Sequence, residues 1–200
     1  MKGFKLLAAV FLLIGLTNLT YAQTKTIDNC YISFNGVKNL NAKTPDRLPE
    51  SAAKPREVNT ENGMKSVSRN AGYRVLYHNN KNVPFINLKI EQSSEGSYNA
   101  DKENLIENLR YLIKNSSGMK SKDVIELEFN GQKLYGLSRN SIKKGSTLST
   151  FIMFPGNDIV VYFYFNNLKP DYRNFKSLKD FEKQRDKFIA EYTKHINNCK

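Results

Sequence analysis

Thr147-TLSTFIMFPGNDIVVYFYFN-Asn166 decides the fold: two runs of strand-forming residues with a turn between them. Ile159 to Phe165 holds only β-branched and aromatic residues, the composition of a strand packed in the middle of a sheet. Pro155-Gly156-Asn157-Asp158 is turn chemistry, since Pro fixes φ while Gly and Asn tolerate the left-handed region. The stretch therefore reads as an antiparallel hairpin. No motif for chemistry lies on it.

Upstream, Val124 to Phe129 alternates, with Ile125, Leu127 and Phe129 on one side and Glu126 and Glu128 on the other. Asn130-Gly131 follows, and Lys133 to Ser138 runs back; Asn-Gly between alternating runs is a strong hairpin signal. With Lys143-Lys144-Gly145 as the next tip, four consecutive strands form a meander. Before it, Leu105, Ile106, Leu109, Leu112 and Ile113 make one apolar stripe of helical period, with Asp101 placed to cap the start and Ser116-Ser117-Gly118 to stop it. Earlier still, Tyr73 to Tyr77 reads as a short strand. Pro84 opens a second, in which Ile86, Leu88 and Ile90 alternate with polar residues, so that one face is buried and the other wet.

Downstream, Ser177-Leu178-Lys179-Asp180 has the form of a capping box with Asp in place of Glu. Leu178, Phe181, Phe188, Ile189, Tyr192 and Ile196 then share one side of a helix about 30 Å long. The fold class expected is α+β: an antiparallel sheet, a four-strand meander plus one or two N-terminal strands, with two flanking helices.

The N-terminal third has a different character. Met1 to Ala22 has Lys2 and Lys5, an apolar run from Leu6 to Ile14, and small residues at its end, the anatomy of a secretory signal peptide cut after Ala22. Residues 23–72 are read as an N-terminal strand, Thr26 to Phe34, followed by a polar mobile segment. From Val37 to Gly72 there is no aromatic residue, and Pro45, Pro49 and Pro55 are half of the six prolines. Such a stretch buries too little apolar surface to offset its ordering entropy. Residues 73–200 are the α+β domain.

The chain of 200 residues carries a formal charge of +12, and losing residues 1–22 removes two lysines and no acids, which leaves +10. A basic exported protein suits an anionic partner, although scattered lysines also serve solubility alone. The two cysteines, Cys30 and Cys199, form an even pair in a chain read as exported, which favours a disulfide closing a loop of about 170 residues; free thiols or a bridge to another chain are the alternatives. No ligand spacing for a metal is present, and no cofactor motif.

No catalytic residue is assigned. His78 and His195 are the only histidines; the first adjoins a loop and the second lies on the last turn of the final helix, where a cation is favourable. Glu126 and Glu128 read as the wet face of an edge or half-covered sheet, with an acid/base pair as the alternative. The candidate binding rim is Lys120, Lys122, Arg139, Lys143 and Lys144, with a solvated loop tip as its plainer reading. Tyr172, Arg173 and Phe175 form a second candidate patch. Aromatics are not interleaved with the rim, so nucleic acid is not expected.

The order strand, helix, meander and C-terminal helix over about Pro84 to Ile196 resembles the superfamily of PsbP-like and DcrB-like proteins. The resemblance is carried by Pro84 before Phe85-Ile86-Asn87-Leu88, by Asn130-Gly131, and by Phe175-Lys176-Ser177 leading into Phe181 and Phe188. It implies helices packed on an antiparallel sheet and an exported accessory or binding role without catalytic residues. It carries over no site residue. The expectation is a secreted or periplasmic, noncatalytic protein that does not span the membrane and binds an envelope protein or an anionic ligand. A small secreted hydrolase with an unrecognised site is the alternative.

Overall fold

The structure, a computed structural model, describes residues 27, 29–49, 53–116, 118–120, 122–140, 142 and 146–199. The signal peptide read at 1–22 lies outside the described residues, as do Lys143 and Lys144. Among the described residues no helix is long and apolar enough to cross a membrane.

The chain folds as a mixed α and β protein. Its elements are α1 (Asn29–Ile32), β1 (Gly36–Val37), β2 (Leu40–Ala42), β3 (Asp46–Arg47), β4 (Arg56–Thr60), β5 (Gly63–Val67), β6 (Ala71–Asn79), β7 (Pro84–Gln92), α2 (Tyr98–Asn115), β8 (Ile125–Phe129), β9 (Gln132–Ser138), β10 (Thr147–Gly156), β11 (Ile159–Asn166) and α3 (Leu178–Asn198). Among the described residues nine strands make one sheet in the order β1-β2-β6-β7-β11-β10-β9-β8, with β3 also paired to β6. Strands β4 and β5 form a separate hairpin. All the pairings are antiparallel.

Strand β11 lies in the interior of the sheet between β7 and β10, and both its faces are covered. Val161, Phe163 and Phe165 enter one core with Phe181, Phe188, Ile189 and Tyr192 of α3. Val160 and Tyr162 enter a second core with Leu105, Leu109 and Ile113 of α2. That is why its run is apolar without alternation. The turn before it places Asn157 and Asp158 at φ of 53° and 61°, and Asn130-Gly131 between β8 and β9 at 51° and 76°, the left-handed region that two-residue hairpins need.

Helix α3 begins as its sequence suggests, with the Ser177 hydroxyl accepting from the Asp180 N–H at 3.2 Å. The Asp180 carboxylate takes the Lys176 N–H at 2.8 Å. Helix α2 corrects the expected cap. It starts at Tyr98 after Ser97, and Asp101 lies buried within its first turn. There the Asp101 carboxylate accepts from the backbone N–H and the hydroxyl of Ser68, so it holds the end of β5 rather than the end of the helix.

Two readings of the N-terminal part are also corrected. Where Thr26 to Phe34 reads as a strand, the described residues carry one helical turn, α1. A strand would send Tyr31 and Phe34 to opposite faces, whereas here both are buried in the α3 core. Phe34 packs edge-on to Phe188 and Tyr192, each at 5.5 Å. The segment from Val37 to Gly72, expected to be without regular structure, contains strands β1 to β5. Its order comes from hydrogen bonds more than from burial. The pieces β2 and β3 extend the ladder along β6, and the β4–β5 hairpin buries Val58, Thr60 and Val67 against α2. Side chains of α2 then clamp the hairpin backbone: the Asn104 amide donates to Ser66 O at 3.0 Å and the Asn108 amide to Asn59 O at 2.7 Å.

Cys30 and Cys199 form a disulfide across a Cα–Cα distance of 6.0 Å, joining α1 to the end of α3.

Candidate functional site

The polar face of β7 was expected to be wet, and the structure covers part of it. Glu91 is 2% exposed, with Arg56 of β4 and Arg69 from the connection after β5 against it, and Lys89, two residues back on the same face, is half-buried. Register sets Lys89 opposite Tyr162 and Glu91 opposite Val160. Three cations converge on the single carboxylate. Lys89 Nζ and Arg69 Nη1 each lie 2.7 Å from Glu91 Oε1, and Arg56 Nη2 lies 3.3 Å from Oε2. Arg56 also donates to the Tyr162 hydroxyl at 2.5 Å, and its guanidinium lies 5.1 Å from that ring's centre. Tyr162 stacks on Tyr164, 6.2 Å between centroids.

The electrostatics follow from this crowding. Burial alone would raise the Glu91 carboxyl, but Arg56 and Lys89, with the hydrogen bonds of Lys89 and Arg69, hold it below the usual carboxylate range. Burial pulls the Lys89 ammonium down, and Glu91 only partly restores it. Burial pushes the Tyr164 phenol up to about 12 and Tyr162 well above its ordinary value. The cluster carries three positive charges against one negative. Among the described residues the buried Nε groups of Arg56 and Arg69 have no hydrogen-bond partner.

Beside the cluster, between α2 and the sheet, is a hollow of about 220 Å³. Leu105, Leu109 and Leu112 of α2 face Leu137 and Ile152 of the sheet across it, and Arg56, Tyr164, Thr150 and Arg139 supply polar lining. Arg139 has no ion pair among the described residues. A wider depression of about 900 Å³ adjoins it through the shared residues Ser116 and Met119.

The described members of the expected rim, Lys120, Lys122 and Arg139, are distributed over both. Lys120 and Lys122 line the wider depression, where Glu61, Asp123 and Glu126 are interspersed with them, and Arg139 lines the smaller hollow. A bridge between Met119 and Arg139 brings the Lys120 and Arg139 segments side by side, and the Lys120 ammonium is ion-paired with Glu182. In the second expected patch, Phe175 is buried among Phe85 and Phe181 and Arg173 donates to Leu168 O, which leaves Tyr172 as its exposed member.

Both histidines are engaged with main chain. His78 Nδ1 lies 3.1 Å from Asn82 O, and His195 Nε2 lies 3.2 Å from Cys30 O while its ring packs on Phe34. Cys30, His195 and Cys199 are the one grouping of potential metal ligands among the described residues, and the disulfide consumes both sulfurs. Glu126 and Glu128 are exposed on β8, at the edge of the sheet.

The charged cluster was not visible in the sequence. Its members come from β4, the connection after β5, β7 and β11, and the Arg56–Tyr162 bond spans 106 residues. The one local sign is Tyr162 and Tyr164, which place hydroxyls on one face of an otherwise apolar strand. No family model matches this chain, nor does any curated protein or solved structure.

Proposed function

We propose that the chain is an exported, noncatalytic accessory or binding protein for an anionic partner, built as a four-strand meander flanked by helices in the manner of PsbP-like and DcrB-like proteins. The observation that carries the reading is the cation surplus of Arg56, Arg69 and Lys89 over Glu91 beside a hollow that also holds Arg139. A surplus of partly desolvated cations with unpartnered N–H groups is stabilised by an incoming anion. Binding is favoured over hydrolysis because the candidate bases are otherwise engaged: both imidazoles contact backbone oxygens, and Glu91 is held ionised by three cations. The disulfide and the basic, apolar start of the chain support export to an oxidising compartment.

Thermal unfolding in low salt against a panel of carboxylates, phosphate and sulfonates tests the reading. A ligand present at a hundred times its Kd adds about 2.7 kcal/mol, which for a domain of this size raises Tm by roughly 5–10 °C. The rise should shrink with added salt and in an Arg56→Gln/Arg139→Gln double variant. A Tm that no anion moves would overturn the reading.

A further inference from the structure

The hollow between α2 and the sheet has the chemistry of an amphiphile's site. Across its floor, register puts Tyr164 opposite Thr150 and Thr150 opposite Leu137, with Tyr162 opposite Ile152 in the next row. The floor therefore changes from hydroxyl-bearing to apolar side chains within two strands. The roof is the leucine stripe of α2, and Leu112 is left 37% exposed there, an apolar side chain at the hollow with incomplete cover. Arg139 brings a guanidinium without an ion pair among the described residues, and Arg56 a buried Nε without an acceptor. An apolar wall with guanidinium groups set into it is complementary to a ligand with an apolar tail and one anionic head.

Size narrows the class further. Pockets for drug-sized ligands run from about 300 to 1,000 Å³, and 220 Å³ lies below that range. At roughly 30 Å³ per water-sized group the hollow holds on the order of seven such groups, one chain of medium length and not the two chains of a membrane lipid.

We propose that this hollow binds a single-chain, medium-length carboxylate, its tail among Leu105, Leu109, Leu112, Leu137 and Ile152 and its head between the guanidinium groups of Arg139 and Arg56. The proposal rests on the anionic-ligand reading above and adds the tail.

Calorimetric titration of the full chain with octanoate, butyrate and octanol separates the two. Octanoate should bind with a stoichiometry of one, and butyrate, lacking four methylenes to bury, at least about tenfold more weakly. Octanol should also bind at least about tenfold more weakly, for want of the charge. Thr150→Trp, which fills the floor, and Arg139→Gln, which removes the free guanidinium, should each weaken octanoate by at least about tenfold. Melting curves of both variants check that they fold, and Arg139→Gln carries the test if the tryptophan disturbs the sheet. Butyrate binding as well as octanoate, with Thr150→Trp without effect, would overturn the amphiphile site and leave the anion reading standing. Octanol binding as well as octanoate would show that the hollow does not read the head's charge and would overturn the proposal, as would no binding of octanoate; the anion reading then stands or falls on the melting panel alone.

Discussion

The two faces of the sheet are built differently. On the α3 face, rings from four parts of the chain interlock: Phe34, Tyr77, Phe163, Phe165, Phe188 and Tyr192 meet with centroids 4.8–6.2 Å apart. The two tyrosine hydroxyls there are bonded to the carbonyls of Phe34 and Tyr31. On the α2 face the buried cluster is smaller, ion pairs run through it, and two depressions open beside the helix. The difference teaches a division of labour: one face supplies the stability that lets the other keep charge and empty volume.

Substitutions on the two faces test that division, and the largest effect belongs to the aromatic side. Phe188→Ala removes a fully buried ring in contact with Phe34, Tyr77 and Phe165 and should cost about 4 kcal/mol in chemical denaturation. Binding through the α2 face should survive in the fraction that remains folded. A cost below about 1 kcal/mol would show that the aromatic face is not the anchor.

Next comes the disulfide on the same face. Cys30→Ser should lower stability by about 3 kcal/mol, and Cys199→Ser by a similar amount, since either opens the same loop. Denatured, unreduced parent protein should show no thiol reactive toward a labelling reagent; two labelled thiols would be the contrary result.

The smallest effect is expected in the ion cluster. Glu91→Gln leaves three cations without their carboxylate, yet Arg56, Arg69 and Lys89 retain 30%, 14% and 18% side-chain exposure. Solvent screens them, so the cost at pH 7 should be about 2 kcal/mol, below the roughly 3–5 kcal/mol of a fully buried pair. The Glu91 carboxyl lies below its ordinary value in the folded protein, so its stabilisation is complete above the unfolded value of about 4.3. It is lost as the pH falls through the folded value. The gap between parent and Glu91→Gln should therefore be widest at neutral pH and close in acid. A gap independent of pH would mean that Glu91 acts by shape and not by charge.

How much was legible divides along the same line. The run at β11 and the helical stripes of α2 and α3 name the mixture of α and β because each signal lies within one segment. The pairing of Cys30 with Cys199 was expected from an even count in a chain read as exported, and the structure has that disulfide. The β4–β5 hairpin was not legible, since its order depends on Asn104 and Asn108 reaching its backbone from a helix more than 35 residues away. The ion cluster was hidden for a related reason: Lys89 and Glu91 read as solvent-facing until Arg56 and Arg69, from the hairpin and the connection after it, are brought against Glu91.

The disulfide has a mechanical consequence. Because Cys30 and Cys199 close the chain at a Cα–Cα distance of 6.0 Å, tension applied on either side of the pair runs through two sulfur atoms and never enters the sheet. Pulled at those points, the intact protein should transmit load as a short rigid link without lengthening. Once reduced, it should unravel under the same pull, with α1 drawn away from α3 first.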